Sequence, residues 1–381
     1  MNLENTLLMI PGPVPVAPRI LRAMSKPIIG HRSKDFGSMY SECRIILQEL
    51  FGTKNDMYVI SGSGSCAMEA AVGNVIGEND TLVTIENGKF GERFREIGER
   101  YGKVRAVKFD WTKGESIELD KVESALSEGA KAVTLVHNDT SVGIKNPAKE
   151  IGDLARKYGA IFIMDGVTTI GGDEVHVDKW GADIAVVGSQ KCIGAPPGLS
   201  AISVSKYAWD SIVEKPPYYM DLKAYRKSAS KESPETPYTP AVPLFFALHE
   251  ALRIVKEEGL EERIKRHAKF AEALRAAAEA MAIEMFPKLN KYSRYSNTVT
   301  AMNIPTGIDD KKLRGGIKEL GIQVSGGQGP LEGKIFRIGS MGNISKLDIL
   351  STVQAVEIVL HRNDVVKKMG HGVEAASNVL K

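Results

Sequence analysis

The chain has 381 residues, 43% hydrophobic and 25% charged, with a formal net charge of +3. That is the make-up of a globular protein with a substantial core, in one large α/β domain plus a smaller one or in two to three ordinary domains; disorder over most of the chain is excluded. The near-neutral balance leaves no basic patch of the size nucleic-acid binding requires. No run of about 18 residues is free of charge, so neither a nucleic acid nor a membrane is expected as a partner.

The first residues, Met1-Asn2-Leu3-Glu4-Asn5, lack the basic-then-apolar build of an export signal, and 1–20 read as an N-terminal arm. Residues 21–255 read as a large domain and 256–381 as a small C-terminal one. From residue 57 a pattern recurs of β-branched run, turn and helix. Met57–Ile60 reads as a strand, Cys66–Val75 as a helix, Thr81–Ile85 as a strand and Phe90–Tyr101 as a helix with apolar positions at helical spacing. Ala132–Val136, Ala160–Met164 and Ile184–Val187 are further strand-length apolar runs, the first two separated by a helical Lys149–Tyr158. Such alternation implies crossover connections and a mostly parallel sheet covered on both faces. Glu214–Pro243, rich in Lys, Pro, Tyr and Ser, reads as an irregular excursion, followed by a long helical segment Phe245–Met285 interrupted near Gly259. Thr298–Ile304, Ile322–Ser325 and Lys334–Ile338 then read as strands, with helices at Asp309–Leu320 and Lys346–Arg362.

Cys43, Cys66 and Cys192 are scattered without CxxC spacing, so neither a disulfide framework nor a metal site is encoded; a reducing, cytoplasmic setting is expected. Four strands end in a polar residue or glycine turn, at Ser61, His137, Asp165 and Gly188. In an open parallel sheet these ends share one edge, where ligands bind, so Ser63, Thr140, Asp165 and Lys191 can converge there. Gly62-Ser63-Gly64-Ser65, between a strand and a helix, offers backbone N–H groups and hydroxyls to an anion. Gly62 to Ala67 also fits the loose dinucleotide pattern GxGxxA, with Glu86 after the next strand, which keeps a nicotinamide-dependent dehydrogenase open as a rival. Lys191, held in the crevice at low dielectric, would lose its proton readily and supply a free amine. Asp165 has the complementary use, since a carboxylate beside a pyridine nitrogen preserves an electron sink. His137 is the histidine best placed to line the site, and His249 and His267 read as interface or core residues. Cys66, at a helix N-terminus, is open to a lowered thiol pKa, with burial as the commoner outcome.

Several stretches carry a resemblance: Pro11-Gly-Pro13, Gly30-His-Arg-Ser33, Ser61-Gly-Ser-Gly64, Asn87-Gly-Lys-Phe-Gly-Glu-Arg93, His137-Asn-Asp-Thr140, Asp165-Gly-Val-Thr-Thr169, Gly188-Ser-Gln-Lys191, Tyr238-Thr-Pro240 and Phe336-Arg-Ile-Gly339. In this order the sequence resembles class V aminotransferases of the pyridoxal-phosphate fold-type I group. It is similar to their alanine–glyoxylate / serine–pyruvate branch with its archaeal and bacterial relatives, including broad-specificity aspartate aminotransferases.

The resemblance implies a mostly parallel seven-stranded large-domain sheet, a smaller C-terminal α/β domain, pyridoxal 5′-phosphate as cofactor and a homodimer. It implies that Lys191 bonds the cofactor and serves as base, and that Asp165 partners the pyridine nitrogen. Val167 packs on one ring face and Phe90, where the branch usually has tryptophan, on the other. Thr140 reaches the phenolic oxygen. Ser63, Gly64, Ser65 and Gln190 hold the phosphate, with Thr239 reaching in from a second subunit; Ser65 stands where the mammalian pattern has histidine. Arg337 grips the substrate carboxylate. His31 and Arg32 are candidates for a second cationic subsite, as in phosphoserine aminotransferases, with a subunit-interface salt bridge as the alternative for Arg32. The implied activity is ping-pong transfer of an amino group between a small L-amino acid (alanine, serine or aspartate) and a 2-oxo acid (glyoxylate, pyruvate or 2-oxoglutarate). A cysteine desulfurase is disfavoured, since no cysteine follows Cys192.

Overall fold

The structure, a computed structural model, describes residues 6–381. The five residues on which the export-signal expectation rests, Met1 to Asn5, lie outside the described residues.

Helix α1 (Pro18–Met24) and the long α2 (Lys34–Phe51) precede the first large strand. Ser33 starts α2 by accepting the Phe36 N–H, and Gly52 ends it at φ +60°, a left-handed turn that a side chain would disfavour. The chain then alternates through β1 (Asp56–Ser61), α3 (Gly64–Gly73), β2 (Thr81–Glu86), α4 (Lys89–Gly98), β3 (Lys103–Lys108), α5 (Leu119–Ser127), β4 (Ala132–Val136), α6 (Ala148–Lys157), β5 (Ile161–Asp165), β6 (Ile184–Gly188) and β7 (Leu199–Val204). These strands form one seven-stranded sheet in the order β1-β7-β6-β5-β4-β2-β3. Only β7 runs against its neighbours, pairing antiparallel with both β1 and β6. The other six therefore still point their C-terminal ends to one edge, and the expected convergence survives a mixed sheet.

Two strands of this sheet were not among the expected elements. The edge strand β3, Lys-Val-Arg-Ala-Val-Lys, shows solvent on its charged positions and so lacks an apolar run. In β7 two serines, Ser200 and Ser203, interrupt the apolar series although every residue is buried. The 214–243 excursion is not wholly irregular, because α7 (Leu222–Ala229) forms within it, its N-cap Asp221 accepting the Lys223 N–H.

Helices α8 (Val242–Glu258) and α9 (Leu260–Ala280) meet at Gly259, where the interruption was expected. Beyond them β8 (Val299–Asn303), α10 (Asp310–Glu319), β9 (Ser325–Gly326), β10 (Ile335–Gly339), α11 (Lys346–Arg362) and α12 (His371–Leu380) build a second α/β layer around a three-stranded antiparallel sheet, β8-β10-β9. The expected single strand Ile322–Ser325 is divided: Ile322–Gln323 pairs with Leu7–Leu8 of the N-terminal arm, and Ser325–Gly326 pairs with β10. A Ser345/Asp348 capping box sets the start of α11. One apolar core runs from Ile20 to Val255; a second joins Met9 to side chains from Phe270 to Leu380.

Candidate active site

Strand ends deliver the polar groups. A cavity of about 170 Å³ opens at the C-terminal edge of the large sheet. The loop from β1 into α3 contributes Ser63 to its lining, and α3 adds Gly64, Ser65 and Met68. Phe90 and Arg93, one turn apart on α4, form another wall. Asn138 and Thr140 follow β4; Asp165, Val167 and Thr168 come from the end of β5, and Gln190 and Lys191 from the turn after β6. Residues separated by more than a hundred positions thus meet because parallel strands end together.

Burial pulls the Lys191 amine down to about 8 and pushes the Asp165 carboxyl up to about 6, although Asp165 accepts the Val167 N–H at 2.7 Å. Both groups are desolvated, which disfavours charge on each. Lys191 Nζ donates to the Pro11 carbonyl. The adjoining Gly12 has φ +99°, and a Cβ there would stand 2.5 Å from Lys191 Cδ, so glycine is required for the lysine to lie over this turn.

Arg337, on β10, does not line the cavity but is buried beside it. Its Nε and Nη2 donate to the Gly326 carbonyl at 2.9 and 2.8 Å, and its Nη1 to the Thr140 carbonyl at 2.8 Å. A guanidinium has five N–H donors, so one N–H remains on each terminal nitrogen, the end-on fork that suits a carboxylate. Asp139 lies between the parts. Its carboxylate accepts the Phe90 and Gly91 N–H groups at 3.1 and 3.4 Å, and the Ser141 N–H and hydroxyl at 3.0 and 2.5 Å. It supplies the N-terminal cap that Gly88 cannot give α4.

The structure does not bring every expected residue to the cavity. His137 turns away: its ring packs edge-on against Trp180 at 5.0 Å, its Nδ1 is 3.1 Å from the Thr169 hydroxyl, and burial lowers it to about 4. Thr239 is exposed, and His31 and Arg32 also lie outside the lining. The Arg32 side chain is 69% exposed and stands 4.0 Å from Glu235. Burial raises the Cys66 thiol, the opposite of an activated thiolate. Glu86, the acid the dinucleotide reading needs, is buried against Arg95 at 3.4 Å and outside the cavity, so it offers nothing to a ribose. Met68, Arg93, Asn138 and Thr168 are additional lining residues. Three of them sit inside motifs already quoted, and Arg93 was signalled by its i+3 spacing from Phe90.

The donor set fits pyridoxal 5′-phosphate. Ser63 caps α3 without using its hydroxyl in a capping bond, and Gln190 Oε1 is buried without a partner. The Ser63 hydroxyl can therefore donate to a phosphate at this helix N-terminus, and Gln190 can do so through its Nε2 amide, since Oε1 only accepts. A buried amine, a buried carboxyl and the side chains of Val167 and Phe90 complete the requirements of a flat, charged ring. These are the features of a pyridoxal-phosphate aminotransferase.

The sequence pattern of the family Aminotransferase class-V matches residues 22–357. An uncharacterised aminotransferase of Methanocaldococcus jannaschii is 46% identical over 380 residues, covering 98% of this chain and 97% of that protein. The crystal structure of ureidoglycine–glyoxylate aminotransferase from Bacillus subtilis superposes with a TM-score of 0.92 at 35% identity, covering 98% of both chains. That of alanine–glyoxylate aminotransferase from Nostoc sp. gives 0.87 at 32%, covering 93% of this chain and 95% of that one. The chain belongs to the class-V aminotransferase family and is a pyridoxal-phosphate-dependent enzyme of the transaminase type.

Proposed function

We propose that this enzyme moves an amino group between a small L-amino acid (alanine, serine or aspartate) and a 2-oxo acid (glyoxylate, pyruvate or 2-oxoglutarate), in two half-reactions of ping-pong type. The observation that carries this reading is the free end of the Arg337 fork, held by the Gly326 and Thr140 carbonyls beside the cavity that contains Lys191. A carboxylate gripped there would hold the α-carbon toward the cavity. The glyoxylate aminotransferases among its relatives support a small acceptor.

Bound in the cavity, pyridoxal 5′-phosphate supplies the aldehyde that takes up the amino group and the ring that spreads negative charge when the α-proton leaves. Ser63, Gly64, Ser65 and Gln190 hold its phosphate, Val167 and Phe90 flank its ring, and Thr140 bonds its phenolic oxygen. Asp165 keeps a proton on the ring nitrogen, an opposite charge that restores the carboxylate which burial alone disfavours. Lys191 Nζ, already low in proton affinity, takes the substrate α-proton as general base and returns it as acid. Arg337 fixes the substrate by its carboxylate so that the α-hydrogen meets Nζ.

Thr239, exposed on the segment between α7 and α8, completes the phosphate site of a second subunit in a homodimer; a solution mass of one chain, 41.4 kDa, would remove this part. A phosphoserine activity is less favoured, because Arg32 stands outside the cavity beside Glu235. The purified protein should absorb visible light and lose that band on addition of one of alanine, serine, aspartate, glutamate or phosphoserine. A 2-oxo acid should restore it. A protein that takes up the cofactor but responds to none of the five would overturn the substrate reading.

A further inference from the structure

Among the described residues, two cationic side chains line the cavity, Lys191 and Arg93. Lys191 is committed to the cofactor aldehyde and to proton transfer, and Arg337, itself outside the lining, spends three of its donors on the Gly326 and Thr140 carbonyls. A phosphate dianion brought into this cavity would then meet helix-terminal N–H groups and hydroxyls but no full positive charge except that of Arg93. Partial charges at a helix end offset only part of the cost of desolvating a dianion.

Arg93 is built for that position. Its Nη1 donates to Ser65 Oγ at 2.9 Å, inside the anion-binding turn. Its guanidinium carbon lies 4.6 Å from the centroid of the Phe90 ring, which limits its freedom before any ligand arrives. Because Ser65 Oγ accepts from Arg93, its own hydrogen is left to donate elsewhere. The remaining guanidinium N–H groups have no partner among the hydrogen bonds of the described residues, and their fork geometry matches two phosphate oxygens.

We infer that Arg93 is the counter-charge of the cofactor phosphate, acting directly and through Ser65. The inference rests on the assignment of Ser63–Ser65 as the phosphate cradle and adds a residue to it. Ser65 and Arg93 then work as one unit: the arginine polarises the hydroxyl and brings the charge that a serine lacks.

Cofactor-stripped wild-type protein, Arg93→Gln and Arg93→Lys are titrated with pyridoxal 5′-phosphate and, separately, with pyridoxal, which has the same ring and aldehyde but no phosphate. Visible absorbance reports binding, and thermal melting reports folding. Arg93→Gln should bind pyridoxal 5′-phosphate roughly ten- to a hundredfold more weakly and bind pyridoxal as the wild type does. Arg93→Lys, which keeps the charge without the fork, should fall between the two. If Arg93→Gln retains the wild-type preference for the phosphorylated form, or weakens both compounds equally, Arg93 supports Phe90 and the fold only and the inference is overturned. A wild-type protein that does not prefer the phosphorylated compound would instead overturn the cradle assignment itself. Should Arg93→Gln fail to fold, the ratio of the two affinities in Arg93→Lys decides the matter alone.

Discussion

Burial moves the two ionisable groups of the cavity toward neutrality from opposite sides, Lys191 down to about 8 and Asp165 up to about 6. Both arrangements serve chemistry at the expense of the cofactor-free fold. The folded pKa of Asp165 is raised, so its stabilising proton is held below the unfolded value near 3.8 and is lost as pH rises through about 6. Above that the buried carboxylate destabilises the fold by an amount on the order of 3 kcal/mol. Asp165→Asn keeps an acceptor for the Val167 N–H and removes the charge. The cofactor-stripped variant should therefore be more stable than wild type at pH 8, by roughly 1–3 kcal/mol, and equal to it near pH 4, while transaminase activity falls by orders of magnitude. Denaturant melts at the two pH values check the sign; a gain that is the same at both would show that the charge is not its cause. Asp165 and Lys191 stood out from their places after apolar runs. The shifts themselves depend on how deeply those residues are packed, which no local pattern states.

Helix α4 carries one wall of the site, yet its own sequence gives it no side-chain cap. Asp139, more than forty residues later, accepts the Phe90 and Gly91 N–H groups and so aims Phe90 and Arg93 from another strand's end. Gly88 exists for this contact: a Cβ there would lie 2.1 Å from Asp139 Cγ, and its backbone is extended, so space and not conformation demands glycine. Gly88→Ala should destabilise the protein by about 1–3 kcal/mol through overpacking and weaken cofactor binding, read by thermal melting and by the visible absorbance of the bound cofactor. An alanine variant that binds the cofactor as wild type does would separate α4 from the site. The motif Asn87-Gly-Lys-Phe-Gly-Glu-Arg93 was readable as a unit, whereas its dependence on Asp139 was not, because the cap is long-range. His137 shows the same limit in reverse. It follows β4 at the correct place, but the chain reverses after it and its ring is turned onto Trp180.

A buried guanidinium helps to join the two cores. Arg263 of α9 is fully buried; it donates to the Gly171 carbonyl at 3.2 Å and to the Cys192 carbonyl at 2.7 Å, beside Lys191. It also pairs with Glu258 at 2.5 Å and reaches Asn343 Oδ1 at 3.4 Å, in the turn after β10. One side chain thus ties the lysine loop to the layer that presents Arg337. Arg263→Met would leave the Gly171 and Cys192 carbonyls without this donor and Glu258 with Arg266 alone, a loss of roughly 1–3 kcal/mol. The expected readout is a lower melting temperature together with reduced activity in the fraction that remains folded. A variant with wild-type melting would exclude this role.

Alternation of apolar runs and helical stretches, and the polar residues that close the runs, were enough to place the large sheet, its ligand edge and the pair Lys191 and Asp165, because strand period and burial are written in local composition. The motif order was enough for the family. The edge strand β3 and the serine-bearing β7 escaped because their residues are half-exposed or polar by pattern and become strands only through their partners. Whether Arg337, His31, Arg32 and Thr239 face the cavity, how Arg93 meets Ser65, and how far each acid and amine is shifted all depend on contacts between residues distant in sequence. Such contacts are set by packing, and packing is a property of the assembled molecule.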